Sequence, residues 1–298
     1  MPTRRLPMPL LTLAVRTVAA VVVAGVLALV ACELWLRWFP LSDSIAGTLS
    51  AQAWRRKCWQ TGPDGFRPHP GGAGPATVVV VGDSVAAGYG LCDPAARFAN
   101  QLGERYRVWV LAELADGTPE EWAHLTRFLS THPRPDVLVV SYLGNDLETL
   151  ALEQGIPLRP PSPSLPIVAR HSYAANLLFW HRSTDLSPYL LGYRRAWAEP
   201  AIVNRHLAEI GRFFTLNLPV VFLVWPIPMD PELTRAYVPL VSRHVRSLGG
   251  VVVDVERLTA DLSLRRFMAN PFDAHPSAEV HRRVGAELRE VLGRTLGR

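Results

Sequence analysis

Cysteine is scarce: Cys32, Cys58 and Cys92 are the three in a chain of 298 residues, too few to staple a miniprotein. Charge is thin as well, at 19% of residues against 49% hydrophobic, which excludes a disordered, self-repelling chain. No glycine-rich phosphate loop and no dinucleotide fingerprint occurs, so nucleotide chemistry has no motif to rest on. Internal repeats and low-complexity tracts are missing too. The positive surplus, +5 overall, is not spread along the chain. Residues 1–57 hold Arg4, Arg5, Arg16, Arg37, Arg55, Arg56 and Lys57 against only Glu33 and Asp43, and the other 241 residues balance at 24 basic and 24 acidic. A basic stripe on a folded domain, the footprint of a nucleic-acid binder, is therefore not expected. A membrane is the expected partner and nucleic acid is not.

What is present begins with one long apolar run. From Thr17 to Ala31 the chain reads TVAAVVVAGVLALVA, and it continues through Cys32, Glu33, Leu34, Trp35 and Leu36 before Arg37. Twenty helical residues span about 30 Å, the thickness of a bilayer's hydrocarbon. Arg4, Arg5 and Arg16 precede the run, and Trp35, Trp38 and Phe39 close it as an interfacial aromatic cluster. Residues 1–40 thus read as a signal-anchor helix. Two alternatives stay open: a cleaved signal peptide, and a lipobox at Leu29-Val30-Ala31-Cys32 that would lipidate Cys32. Counting nearby cations does not decide orientation. Cys58 and Cys92 flank the first strand and are a candidate disulfide or two unrelated thiols; a pair would place the bulk of the chain in the periplasm.

Residues 41–75, with the turn-rich TGPDGFRPHPGGAGP, read as a linker. Beyond it, apolar runs at Thr77–Val81, Val108–Leu111, Val137–Tyr142, Val220–Trp225 and Val251–Val253 lack polar alternation, the mark of strands buried on both faces. Amphipathic stretches near Arg97–Glu104, Pro119–Leu129, Tyr193–Leu216, Pro231–Leu248 and Pro276–Leu296 alternate with them. The expected fold is α/β, a three-layer α/β/α sandwich of about five parallel strands over residues 76–298, preceded by one transmembrane helix. Residues 148–192, with Pro157, Pro160, Pro161, Pro163 and Pro166 and then HSYAANLLFWHR, break the repeat. They read as an insertion: a lid, an amphipathic piece on the bilayer, or ordinary packing.

In open α/β sheets, ligands bind beyond the carboxyl ends of the strands. Those positions carry Gly82-Asp83-Ser84-Val85, Ala115-Asp116-Gly117-Thr118 and Leu143-Gly144-Asn145-Asp146, and Asp273-Ala274-His275-Pro276-Ser277 stands near the C-terminus. Each tripeptide alone is weak evidence; their order, each at a strand end, is stronger. Over most of residues 76–290 this pattern resembles the SGNH family of GDSL-type hydrolases, and the resemblance implies their flavodoxin-like fold. By that resemblance Ser84 is the nucleophile, Gly117 and Asn145 belong to the oxyanion hole with the Ser84 N–H, and Asp273 and His275 complete the triad. The residue chemistry agrees. His275 can take the serine proton and return it to a leaving alcohol, and Asp273 can orient the imidazole. In an extended segment residues 273 and 275 face the same way. Pro276 suits the first turn of the last helix, which would place His275 at a helix N-terminus and hold the imidazole neutral. Asp83 reads as a loop-holding residue.

The pattern departs from the family in three places. Asp273 lies two residues before His275 rather than three, so a backbone carbonyl is the alternative orienting group. Leu143 replaces the first glycine of the third block, and Ala112 stands where the second block has asparagine. His281 reads as structural on the last helix, and His171 and His181 as surface or substrate contacts of the insertion. Cys92 has no partner that would activate it as a nucleophile. No cofactor and no metal are expected. The leading reading is a membrane-anchored serine esterase of the bacterial inner membrane. It would face the periplasm and act on an acylated envelope carbohydrate or lipid, with acetyl as the expected acyl group. The rivals are an O-acyltransferase of an exopolysaccharide pathway using the same site, and a non-catalytic scaffold or carbohydrate-binding module. The sequence names no protein partner.

Overall fold

The structure, a computed structural model, describes residues 8–45, 47–158 and 162–297. Arg4, Arg5, Pro160 and Pro161 lie outside the described residues. Five strands, β1 (Thr77–Gly82), β2 (Arg107–Ala112), β3 (Val137–Tyr142), β4 (Val220–Val224) and β5 (Val251–Asp254), form one sheet in the order β2-β1-β3-β4-β5. Every neighbouring pair is parallel. This is the doubly wound order, whose direction of winding reverses between β1 and β3. The strands are apolar on both faces because both faces are covered. Val79, Val81, Leu138, Val140 and Phe222 enter one core, whereas Val78, Val80, Val137, Val139 and Val221 enter the other.

The helices are α1 (Met8–Trp38), α2 (Leu49–Cys58), α3 (Ser84–Ala87), α4 (Thr118–Leu129), α5 (Glu148–Glu153), α6 (Tyr173–Ser183), α7 (Ser187–Ala198), α8 (Pro200–Arg212), α9 (Pro231–Ser247), α10 (Val255–Leu258), α11 (Leu264–Phe267) and α12 (Ala278–Thr295). Within α1, an 18-residue window of Val15–Trp38 reaches a mean hydropathy of 2.4 with none of its residues buried, whereas Leu36 near the end of the helix packs into the domain. It is long and apolar enough to cross a membrane.

Four expectations need correction. The stretch near Arg97–Glu104 makes two short 3-10 turns, Pro94–Ala96 and Asn100–Leu102, rather than an α-helix. The expected helix Tyr193–Leu216 is two helices, α7 and α8, because Pro200 cannot continue the first and disfavours helical backbone at Glu199. Two further strands, β6 (Met268–Asn270) and β7 (Asp273–Pro276), pair antiparallel. Pro276 therefore ends a strand, and the last helix starts at Ala278 with Ser277 as its N-cap.

The fourth correction concerns residues 41–75, which are packed rather than loose. Thr48 caps α2 by accepting the Ala51 N–H, and Ser50, Ala51, Trp54 and Cys58 of that helix are buried. Arg67 is buried, and its guanidinium donates to the carbonyls of Cys58, Ala87, Gly88, Leu91 and Cys92. Burial lowers its pKa to about 10, leaving it charged at neutral pH. Cys58 and Cys92 are joined as a disulfide, and Cys32 is free. This N-terminal wrap is therefore clamped to the loop that follows α3.

Candidate active site

The loops after β1 and β3 open at the reversal point of the sheet, and β7 comes up beside them. The chain turns from β1 into α3 through Asp83, whose Oδ1 accepts the Val85 N–H at 2.9 Å, so Ser84 occupies the first turn of the short helix. Gly82 is required by the close approach of three elements. A Cβ there would lie 2.7 Å from the Ala86 Cβ and 2.8 Å from the Ser141 Cβ. Gly90, at φ 86°, lets the loop after α3 cross β7, where a Cβ would meet Ala269 at 2.7 Å and an Asp273 carboxylate oxygen at 3.1 Å.

Ser84, His275 and Asp273, far apart along the chain, stand in line. The His275 Nε2 is 2.9 Å from the Ser84 Oγ, and its Nδ1 is 2.6 Å from the Asp273 Oδ1. The same carboxylate oxygen accepts the His275 N–H at 3.1 Å. With a carboxylate at Nδ1, the neutral ring carries its proton there and presents Nε2 as an acceptor. The two-residue spacing works because β7 is extended and points both side chains one way. The Ser84 Oγ lies 3.4 Å from the Asp83 Oδ2 as well, too long to compete with the imidazole.

The electrostatics reverse one expectation. Burial lowers the His275 pKa, but the Asp273 charge and hydrogen bond, with Asp83 and Asp43 nearby, outweigh it and leave the imidazole above its ordinary 6.5. The helix N-terminus that was to keep it neutral begins three residues later. Asp273 is fully buried; burial raises its pKa, yet His275 holds the carboxyl below its usual range.

Asn145, in the turn after β3, donates from Nδ2 to the Asp83 Oδ2 at 3.2 Å. That bond orients the amide, and the second Nδ2 hydrogen remains for another acceptor. Asp83 is thus the loop-holding residue expected of it, spanning Val85 and Asn145. Behind Asn145, burial pushes the carboxyls of Asp146 and Glu121 well above their ordinary range; the Glu121 charge adds to the rise at Asp146, and the Asp83 charge to the rise at Glu121.

Gly117 is placed differently from the expectation. Its N–H is engaged by the Glu120 Oε2 at 3.2 Å in the capping box that starts α4, and it does not line the pocket. The residue of that loop that does so is Ala115, held in left-handed backbone at φ 64°. Among the described residues no hydrogen bond engages the N–H of Ser84 or of Ala115.

The pocket is forked. An apolar arm of about 170 Å³ is lined by Leu143, Tyr189, Leu190, Tyr193, Ile227 and Phe267. A second arm of about 370 Å³ holds Ser84 and Tyr89 together with Arg55 and Glu148. Ser44, Leu143, Asn145, Tyr189 and His275 border both.

Several of these residues escape sequence reasoning. The Tyr89 ring lies 4.8 Å from the His275 ring and covers it. Ser44 donates nothing to the reaction centre but accepts the Ala274 N–H at 2.7 Å and gives its own N–H to the Phe272 carbonyl, fastening β7 to the wrap. Tyr193 donates to Glu148, and Tyr189 meets Tyr193 at 2.9 Å between hydroxyls. A tyrosine or serine inside a turn-rich tract carries no periodic signal that would have marked it.

Other candidates fall away from the site. His281 is buried on α12, stacks on Phe98 and accepts the Phe98 N–H at its Nδ1; burial lowers its pKa to about 3. His181 lies against the Phe272 ring, and neither it nor His171 lines the pocket. Cys92 is oxidised. Glu113, Asp116 and His124 bring ligand-type atoms within 4.8 Å of one another. The Arg127 Nη2 approaches the His124 Nδ1 at 2.5 Å, however, and His124 Nε2 sits 3.3 Å from the Asp116 Oδ2. With an arginine donor at Nδ1, the neutral ring carries its proton on the nitrogen that faces the Asp116 carboxylate, which leaves no imidazole lone pair for a metal in this arrangement.

No family model and no curated protein matches the chain. Among solved structures, TesA is 17% identical, with 74% of this chain and 99% of that one covered at a TM-score of 0.43. The psychrotrophic esterase EstA from Pseudoalteromonas sp. is 10% identical, with 75% and 100% covered and a TM-score of 0.46. The lipase/acylhydrolase from Enterococcus faecalis is 16% identical, with 74% and 96% covered and a TM-score of 0.44. At such scores the functional argument rests on the geometry of this chain.

Proposed function

We propose that this protein is a serine ester hydrolase of the SGNH type. The observation that carries the reading is the line Ser84 Oγ, His275 Nε2, His275 Nδ1, Asp273 Oδ1, with successive contacts of 2.9 and 2.6 Å. Ser84 attacks the acyl carbonyl as His275 takes its proton, and Asp273 stabilises the imidazolium. The Ser84 N–H and the free Asn145 amide hydrogen serve the oxyanion, each donor worth about 3 kcal/mol in the transition state. Gly117, tied to Glu120, is not a donor in this arrangement. His275 returns the proton to the leaving alcohol, and water then opens the acyl-enzyme by the same steps in reverse.

The apolar arm favours the acyl chain. Its 170 Å³ matches a cavity of about 150 Å³ that accepts benzene, so a chain of several carbons fits better than acetyl alone. The second arm beside Ser84, to which Arg55 and Glu148 contribute charged groups, suits the alcohol portion, a headgroup or sugar. That second arm also favours a transferase reading, in which a sugar hydroxyl seated there replaces water. The disulfide supports a domain outside the reducing cytosol, with α1 as an uncleaved inner-membrane anchor. Cys32 falls inside the continuous helix α1, which suits an anchor better than a lipidated terminus.

The test is a p-nitrophenyl ester series from acetyl to octanoyl on the full chain in detergent, assayed with and without a glycan acceptor. The reading predicts release of free acid, fastest above two carbons, and its loss in His275→Ala. No turnover of any ester by folded protein would overturn it, and product on the acceptor would favour the transferase.

A further inference from the structure

The end of α1 is not a free tether, because its last two turns are bonded to the insertion. Glu33, the single acidic residue of the helix, accepts the Ser172 hydroxyl at 2.9 Å and the Ala174 N–H at 3.0 Å, where it complements the N-terminal dipole of α6. Arg37 pairs with Glu33, donates to the His171 carbonyl at 3.2 Å and lies over the Tyr173 ring. On the other side Lys57 donates to the Trp38 carbonyl.

These bonds fix a level. Trp35, Trp38 and Phe39 are 50%, 72% and 60% exposed at the end of the apolar span, the position of an interfacial aromatic belt. Whatever is bonded to residues 33–37 lies at headgroup depth. The bonded segment exposes apolar side chains that the domain leaves uncovered: Ile167 at 76%, Val168 at 57% and Leu178 at 59%, with Phe179 beside them. Arg170 and Arg182 flank them, both exposed. Apolar side chains with cations at headgroup depth are the pattern of a segment lying in the membrane plane.

We propose that residues 167–182 are an interfacial membrane-binding segment, with Ile167, Val168 and Leu178 entering the acyl boundary and Arg170 and Arg182 meeting anionic headgroups. This rests on α1 being a membrane span. The consequence for the site is direct. The segment runs straight into α7, whose Tyr189, Leu190 and Tyr193 line the apolar arm, and Trp180 packs against Gly47 in the wrap. The pocket then sits at the membrane surface and draws acyl esters from the interface.

Depth measurement by nitroxide-lipid quenching tests this. An environment-sensitive fluorophore is placed on Val168→Cys, Leu178→Cys, Val26→Cys and Leu248→Cys in a Cys32→Ser background. The full chain is reconstituted in vesicles of phosphatidylcholine and phosphatidylglycerol. Leu248, 40% exposed just after α9 at the opposite end of the strands, reports bulk water. The labels at 168 and 178 should be quenched at least about twofold more than that at 248, most strongly by shallow nitroxides, and the label at 26 by deep ones. Labels at 168 and 178 that match 248, with 26 still quenched, would overturn the proposal and leave the span intact. An unquenched label at 26 would remove the span and this proposal with it. The ester assay is independent of both.

Discussion

The sheet and the N-terminal wrap are held by different forces, and the difference explains what each contributes to the site. The five strands are held by apolar burial on both faces: β1 and β3 are almost wholly inaccessible. The wrap, residues 41–75, has little core of its own; beyond Trp54 and Phe66 it is fastened by the Arg67 guanidinium, the Ser44 bonds to β7 and a disulfide. The sheet fixes where Ser84 and Asn145 emerge. The wrap fixes where the loop after α3 and strand β7, which carries Asp273 and His275, lie against them. Damage to the first kind of contact lowers global stability, whereas damage to the second loosens geometry at the site.

The largest expected effect lies where the two regions meet. Asp273→Asn should lower kcat by about 10⁴-fold, the cost of a misoriented imidazole. It should also move the acid limb of the pH profile in a defined direction. In the native protein the limb should lie on the alkaline side of the ordinary imidazole value, because the Asp273 charge and hydrogen bond, with Asp83 and Asp43, more than offset burial. Without that charge only Asp83 and Asp43 oppose burial, so the limb should move to lower pH. A kcat/KM profile from pH 4 to 9 on both proteins reads the shift. The sign for stability is opposite to that for activity. The raised His275 pKa favours the imidazolium, so its contribution is full below about 6.5 and fades as pH rises through the folded value.

Opening the disulfide should cost about 4 kcal/mol, the loop entropy of a 34-residue separation. Denaturant unfolding of Cys58→Ser/Cys92→Ser against the oxidised chain measures it. If the wrap is the dependent region described here, ester turnover should fall at denaturant concentrations that leave the sheet's circular dichroism unchanged. Coincident transitions would erase the distinction between the two regions.

Asn145→Ala, at a sheet end, should lower kcat by about 10²–10³-fold with little change in KM, the signature of a group that acts only on the transition state. Ser44→Ala, in the wrap, should cost about 1 kcal/mol of stability. It should raise KM more than it lowers kcat, since Ser44 borders both arms of the pocket. Steady-state kinetics of the pair would sharpen the comparison: one change acts on chemistry, the other on the frame.

Legibility in the sequence follows the same division. The strands were readable because burial on both faces leaves unbroken runs of Val and Leu. Ser84, Asn145 and His275 were readable because strand ends in such sheets are where ligands bind. The irregular spacing of Asp273 resolves in β7, where an extended backbone aligns residues two apart. The wrap was not readable. Arg67 holds five backbone carbonyls, and carbonyls leave no trace in residue identity. Gly117 misled because glycine suits an oxyanion loop and a helix N-cap alike, and here Glu120 three residues on selects the cap. The last helix starts beyond Ser277 rather than at Pro276, and the sign of the His275 pKa shift is set by the Asp273 carboxylate beside it, with Asp83 and Asp43, against burial.

The central claim is that Ser84 is a nucleophile activated by His275. A fluorophosphonate probe on the folded full chain, followed by peptide mass analysis, tests it most directly. The account predicts one adduct, on the peptide carrying Ser84, that is absent from Ser84→Ala and strongly slowed in His275→Ala. A folded protein that takes no label, or a Ser84→Ala chain that labels as before, would contradict it.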